Sequence, residues 1–491
     1  MPTSKQHGKP RKKRSPHCDQ RYQNGPHFSQ HHDCGRLRGP RSRTASHHTT
    51  LSGLATRPCE KSGLALGIDF GTSGVRAMLI DAAGKLLAER RVAGSPIEQP
   101  RPGWRQQNPN DWLQQLTTVV TALPRELRQA VGSMAIDGTS GTLLLTDAHG
   151  QPATAALLYN DARASAQAER IRAMAPTDSA AHGASASLAK WLWLLDEDPG
   201  RRELTPLHQA EWVSGWLSGR FESGDYHNAL KLGFDPRTRD WPSWLEALQL
   251  PVDRLPRLVA PGAPLGPIRA EAARRLGLPR TTCIHAGTTD SIAAFIATGA
   301  SDSGQAVTSL GSTLVLKILS DRPVFAPEFG IYSHWFGERW LVGGASNSGG
   351  AVLKQFFSDE ALEQLSRQIE PSESSGLDYY PLPAVGERFP VADPHLAPRL
   401  EPMIRSQQPQ RFLHGLLEGM ANIEQQAWNT LRQLGAPDPT IVFTAGGGAK
   451  NPAWLAIRQA RIPCPVVVAR HTEAAYGAAL LARDGFFMTT A

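Results

Sequence analysis

Residues 64–80 read LALGIDFGTSGVRAMLI. The apolar run 64–68 predicts a buried strand and residues 75–80 its hairpin partner. Between them Gly71 and Gly74 allow backbone geometry that turns main-chain N–H groups toward an anion. Asp69, at the strand's end, is placed to hold a metal ion or a water bound to one, and the Thr72 and Ser73 hydroxyls to donate to phosphate oxygens. An ordinary hairpin with a glycine-rich turn has the same pattern, so the choice between cradle and plain turn rests on the rest of the chain.

With 491 residues, 40% of them hydrophobic, the chain exceeds what one core usually supports, and two domains are expected. No apolar run approaches the roughly 18 residues of a membrane span, and the amino terminus lacks the apolar core of a secretory signal. A cytoplasmic protein without a membrane partner is expected. The five cysteines, Cys18, Cys34, Cys59, Cys283 and Cys464, show no metal-binding spacing, which predicts unpaired thiols. The net charge of +7 is unevenly placed: residues 1–62 hold thirteen Lys or Arg against three acidic residues, so the remainder is mildly acidic. That segment also carries seven of the sixteen histidines and no periodic apolar pattern, and it reads as a disordered, basic, His-rich tail. An RNA-binding arm, an organellar transit peptide, a metal tether and a nonessential extension all fit its composition.

From residue 64 on, apolar strands alternate with amphipathic helical stretches, the mark of an α/β protein. Strands are predicted at 85–92, 133–137, 142–146, 283–286, 306–310, 313–319, 340–343, 441–444 and 465–468. Helices are predicted at 109–123, 162–174, 187–196, 291–298, 350–357, 410–434 and 474–482. The small, polar stretch GASDSG at 299–304 marks a domain boundary. Beyond it a strand, a Gly311-Ser312-Thr313 turn and a second strand repeat the layout of the opening hairpin about 240 residues earlier. Two related domains, each with a phosphate-holding turn, are expected to face one another across a cleft.

Further motifs follow predicted strands. Asp137-Gly138-Thr139-Ser140-Gly141-Thr142 offers hydroxyls for a polyol, or simply a tight turn. Gly287-Thr288-Thr289-Asp290-Ser291 ends a strand and opens a helix. Asp290 there serves as an N-cap, as a base accepting a proton from an attacking hydroxyl, or as both. The clusters at 343–350 and 445–451 precede helices, exposing N-terminal amides that suit a nucleotide. Neither is a P-loop or a dinucleotide fingerprint, which disfavours P-loop enzymes and dehydrogenases.

Taken in order, GIDFGTSGVRAMLID, GWRQQNPNDW, IDGTSGTLLLTD, YNDARA, HAGTTDSIAAF, TSLGSTLVL, GGASNSGGAVL and FTAGGGAKNPAW resemble the FGGY family of carbohydrate kinases over about residues 63–485. The resemblance implies two actin-like, ribonuclease-H-like domains around an ATP and sugar cleft, an N-terminal one at 63–300 and a C-terminal one at 301–485. It places Asp290 as catalytic base, Asp69 and Thr72 at the phosphoryl and Mg²⁺ site, and Asp69, Ser140, Asp290 and Ser291 at the sugar. Gly311 and Ser312 would hold phosphates, with Gly344, Asn347, Gly446, Gly447 and Asn451 around the adenosine. The Met-His and Asn of xylulokinases, and the Arg-Glu and Gln of glycerol kinases, are absent from the Thr139-Ser140 and Ser291 positions. The DGTSGT and GTTDS pair is instead similar to the xylulokinase-like D-ribulose kinases of cyanobacteria and plants. The expectation is therefore D-ribulose phosphorylation by a monomer or homodimer without a nucleic-acid partner, with D-xylulose as the alternative sugar. An actin-like ATPase and a non-catalytic regulator are the competing classes.

Overall fold

The apolar run after Gly63 becomes the strand around which a six-stranded sheet is built. The structure is a computed structural model that describes residues 63–485, and the expectations for residues 1–62 lie outside the described residues. Strand β1 (Leu64–Gly71) pairs antiparallel with β2 (Gly74–Ile80), and β2 with β3 (Leu86–Ala93). On the other side of β1, β4 (Val131–Gly138) runs parallel to it. At the edge, β5 (Pro264–Pro267) lies antiparallel to β6 (Cys283–Thr289), which is parallel to β4, giving the order β5-β6-β4-β1-β2-β3. Strands covered on both faces need near-continuous apolar sequence, and Leu66, Ile68, Phe70, Met134, Ile136 and Ile284 are all buried.

Helix α1 (Pro109–Thr121) starts where Asn108 accepts a hydrogen bond from the Asn110 amide and Pro109 presets the first turn. Its Leu113, Leu116 and Val120, together with Trp212 and Val213 of α2 (Gln209–Ser218), pack into the same core as β1 and β4. The short α3 (Tyr226–Ala229) is capped by Asp225, whose carboxylate accepts from the His227 and Asn228 amides. Helix α4 (Asp290–Ala297) follows β6 without a loop.

A second six-stranded sheet then forms from β7 (Gln305–Leu310), β8 (Leu314–Ser320), β9 (His334–Phe336), β10 (Arg339–Ser346), β11 (Ile441–Ala445) and β12 (Val466–Val468), in the order β9-β10-β8-β7-β11-β12. The meander β7-β8-β10 is antiparallel, and β11 and β12 add in parallel beside β7. Strand for strand this repeats β1-β2-β3 with β4 and β6 beside them. The protein is thus an α/β chain of two actin-like, ribonuclease-H-like domains.

Helices α5 (Gly350–Phe356), α6 (Pro409–Gln433) and α7 (Pro452–Gln459) belong to the second lobe. On α6, Phe412, Leu416, Met420, Ile423, Ala427 and Leu431 recur at helical spacing and are buried in its core. Beneath β7 and β11, Arg458 donates to Glu424 at 2.8 Å and to Thr444 at 2.7 Å, and Thr308 donates to Glu424 at 2.6 Å.

A third apolar cluster joins the lobes, with Ala65 and Ala135 from the first sheet, Val307 and Leu319 from the second, and Ile292 and Phe295 of α4. Helix α8 (Ala474–Asp484) completes it through Ala475 and Ala479. Two glycines let this helix in: a Cβ on Gly67 would fall 1.9 Å from the Ala475 oxygen, and one on Gly477 would fall 1.8 Å from that of Ala293. Among the described residues no helix is long and apolar enough to cross a membrane. Cys464 is a free thiol, whereas Cys283 is disulfide-bonded, which corrects the expectation of unpaired thiols throughout.

Candidate functional site

Three neighbouring parallel strands, β1, β4 and β6, end on the same side of the first sheet. In register, Asp69 stands beside Asp137, and Asp137 beside Thr288. Side chains at matched positions of parallel strands share a face, so the two carboxylates lie next to each other. Asp290 follows two residues beyond Thr288, as the first residue of α4.

Burial pushes Asp69 up to about 6, the charge of Asp290 adds to this, and the Asp137 hydrogen bond, Arg76 and Arg91 oppose it. Asp137 is fully buried, and burial, followed by the charges of Asp69 and Asp290, holds it well above the usual carboxylate range. No donor reaches either oxygen of Asp137 or Oδ1 of Asp69. Two adjacent carboxyl groups without donors can hydrogen-bond only through a shared proton, and burial raises the affinity of Asp137, the more deeply buried of the two, for it.

Asp290 is raised by burial, while its bond from the Ser291 amide and the charges of Lys317 and Lys231 pull the other way. Its Oδ1 accepts from the Ser291 amide at 2.6 Å. The strand expected to stop at residue 286 continues to Thr289, which takes the N-cap position without a side-chain capping bond. Asp290 is therefore the first helical residue and not the cap.

The other residues expected at the sugar sit close by. Ser140 tops the turn after β4, where the Thr139 and Thr142 hydroxyls share a 2.6 Å bond and Gln209 holds the Thr139 amide at 3.2 Å. Lys231 donates to the Ser140 oxygen at 3.2 Å, and the buried Lys190 to the Gly141 oxygen at 2.8 Å. Ser291 is exposed, with its carbonyl accepting from Lys317 at 2.7 Å. Thr72 lies exposed on the β1–β2 turn, three residues from Asp69.

In the second lobe the turn after β7 and the end of β11 adjoin, since Ser309 pairs with Ala445. Gly311 and Ser312 therefore neighbour Gly446 and Gly447, the latter pair exposed and Gly447 open on its Cβ side. The amides that open α5 are not left for a ligand: those of Gly350 and Ala351 donate to the Gly311 and Ser312 oxygens at 2.8 and 3.0 Å. This corrects the expectation that the cluster before α5 exposes helix amides. Gly344 lies within β10, where a Cβ would come 2.7 Å from the Phe389 ring, so packing accounts for it. Asn347 is held by Glu387 and the Gly386 oxygen. Asn451 caps α7 through Trp454 and donates to Ser366. These three are engaged within the protein, while Gly311, Ser312, Gly446 and Gly447 form the open edge.

Three residues near the candidate site were not picked out by the sequence pattern. The charges of Lys231 and Lys317 act on Asp290, and their one visible signal is a lone cation inside an apolar run, ALKLG and LVLKIL. His227 links the lobes: Nδ1 lies 2.7 Å from the Thr288 hydroxyl and Nε2 2.8 Å from the Trp335 oxygen on β9.

Asp69 Oδ1, a buried carboxylate oxygen with no donor, suits Mg²⁺, which takes one or two carboxylates and completes its shell with water and phosphate. Among the described residues no group of three or more His, Cys, Asp or Glu side chains is placed to hold a metal ion. A cation at Asp69 would need phosphate oxygens as further ligands.

Residues 64–297 match the family model described as the FGGY family of carbohydrate kinases, N-terminal domain, and residues 306–483 match its C-terminal domain. A xylulose kinase of Bacillus subtilis is 26% identical over 442 residues, covering 86% of this chain and 88% of the relative. Among solved structures, a xyloylose kinase from Brucella ovis superposes with a TM-score of 0.76 at 24% identity, over 86% of this chain and 90% of that one. Plasmodium falciparum glycerol kinase with ADP also reaches 0.76, at 17% identity, over 86% of this chain and 89% of that one. Likeness at these identities speaks for the fold.

Proposed function

Because the chain belongs to the FGGY family of carbohydrate kinases, we propose that it transfers the terminal phosphoryl group of ATP to the terminal hydroxyl of a ketopentose. The observation that carries this reading is the setting of Asp290: a carboxylate fixed by the Ser291 amide, directly after the end of a strand parallel to those that end in Asp69 and Asp137, and within reach of the charges of Lys231 and Lys317. Asp290 takes the proton of the attacking hydroxyl as that oxygen bonds to phosphorus and the bond to the leaving ADP oxygen breaks. Burial favours this, because it raises the proton affinity of the carboxylate, while the Ser291 amide and the charges of the lysines favour the ionised form.

The lobe of residues 63–300 would supply the sugar and phosphoryl side, with Ser140 and Ser291 hydroxyls toward the sugar and Thr72 toward phosphate. The lobe of residues 301–485 would supply the nucleotide side, through Gly311, Ser312, Gly446 and Gly447. Mg²⁺ would be held by Asp69 and neutralise charge on the phosphates. Burial, which holds Asp137 well above the usual carboxylate range, disfavours a further negative charge beside Asp69.

D-ribulose is the first reading of the sugar, from the DGTSGT and GTTDS pair with Ser140 and Ser291. D-xylulose is the second, favoured by the likeness to the Bacillus subtilis xylulose kinase. Coupled ADP release with D-ribulose, D-xylulose, ribitol and glycerol tests both. The expected result is turnover on a pentulose well above that on the polyols; none on either pentulose removes the substrate class. Asp290→Asn should lower kcat by about 10²-fold or more. Activity near that of the wild type would remove Asp290 from the role of base.

A further inference from the structure

Both serines at the candidate sugar site have their main-chain carbonyl held by a lysine: Ser140 by Lys231 and Ser291 by Lys317. Lys231 comes from the same lobe as the serine it holds. Lys317 does not, for it projects from β8 of the second lobe, five residues after Ser312. Its bond to Ser291 therefore joins the two lobes and ties the phosphate-side hairpin of one to the helix that carries Asp290 in the other.

The sequence around Lys317 is built to send it there. On β8, Leu314, Leu316 and Ile318 turn into the second-lobe core, which puts Lys317 on the opposite face of the strand. On that face Lys317 is opposite Val307 of β7 and Gly343 of β10. A Cβ on Gly343 would lie 3.0 Å from Lys317 Cγ, so the glycine leaves a channel for the lysine stem. At the far end, the Ser291 carbonyl has a second lone pair to offer beyond its helical bond. Ser291 is also the residue whose amide fixes Asp290 Oδ1. The other charged groups facing Asp290 are Asp69, Asp137 and Lys231, all carried by the first lobe, so Lys317 is the contribution of the second.

We propose that Lys317 is a positioning residue for phosphoryl transfer: carried in by the second lobe, it clamps the Ser291 carbonyl and sets the Asp290 carboxylate against the attacking hydroxyl. The inference rests on Asp290 acting as the base. It makes the base complete only when the lobes are together, so that proton removal is coupled to the arrangement that brings ATP to the sugar.

The test is a double-mutant cycle with Lys317→Met, Lys317→Arg and Asp290→Asn, scored by steady-state and single-turnover phosphorylation of D-ribulose and D-xylulose. Melting curves confirm that each variant is folded. Lys317→Met should lower kcat by about 10²-fold, the scale of a misplaced reacting group, with KM for ATP within about threefold. Lys317→Arg, which can still reach a carbonyl, should recover most of the loss. In the Asp290→Asn background Lys317→Met should cost nothing further, because the residue acts through Asp290. An undiminished kcat in Lys317→Met with Asp290→Asn inactive would overturn this proposal and spare the base. An equal loss in both backgrounds would also overturn it, by showing action directly on the phosphates. An active Asp290→Asn enzyme would remove the base and this inference together.

Discussion

Acidification should loosen the contact that His227 makes between the lobes, by an amount that can be worked out. The ring is 1% exposed and lies between the Thr288 hydroxyl and the Trp335 carbonyl. A carbonyl can only accept, so Nε2 carries the proton and Nδ1 receives the hydroxyl of Thr288, which is the neutral tautomer. Burial, with the nearby charge of Lys317 adding to it, lowers the ring to about 4 from an ordinary 6.5. The unfolded chain therefore takes up this proton first as pH falls. The stability held by the neutral ring is complete above about 6.5 and is lost as pH drops toward 4. A gap of about 2.5 units corresponds to roughly 3.4 kcal/mol in full, of which about 2 kcal/mol is gone by pH 5. Carboxylates with raised affinity, such as Asp69, act in the opposite sense, so the measurement should be a difference. Urea unfolding of the wild type and of His227→Gln at pH 7, 6 and 5 supplies it. The wild-type advantage should shrink by about 2 kcal/mol between pH 7 and 5. Two parallel pH profiles would refute the buried neutral ring.

Three other perturbations test the frame around the site. Arg458→Met leaves Glu424 charged and buried, which should cost about 3–5 kcal/mol, and replacing both partners by apolar residues should recover much of it; equal losses would refute the pairing. Gly477→Ala pushes a methyl group into the Ala293 carbonyl and should lower stability by about 1–3 kcal/mol in chemical unfolding, whereas a neutral result would mean that α8 does not dock at backbone contact. Asp69→Asn should raise the Mg²⁺ concentration for half-maximal velocity by about tenfold or more, and an unchanged activation curve would place the cation elsewhere.

The elements that the sequence announced are those whose burial is one-sided or complete over a run of residues. The central strand at 64–71 is apolar because both its faces are covered, and α6 shows a stripe because only one face is. Helix α2 gave no such sign. Nine of its ten residues are buried, Gln209, Glu211 and Ser214 among them, so its polar positions mark no solvent face. Glu211 belongs inside because its carboxylate takes the His208 amide and ring and the Asp225 amide. A buried polar residue satisfied by partners inside the protein erases the periodicity that a local reading depends on.

The same distinction runs through the candidate site. Asp290 was legible because its neighbours in sequence, Thr289 and Ser291, are also its neighbours in chemistry. Asp137 looked like a turn residue because its meaning comes from parallel register with Asp69, a relation that no local pattern contains. Gly344, Asn347 and Asn451 show the converse ambiguity, since glycine in a strand and asparagine near a helix serve packing and capping as readily as a nucleotide. Lys317 and His227 reach partners 26 and 108 residues away, across a boundary between lobes that exists only once both sheets have formed. What the sequence could not announce is therefore the polar contacts between the lobes, and a kinase that must bring two substrates together depends on such joints. If His227 and Lys317 are such joints, loosening either should alter how the lobes meet before it alters what each one binds.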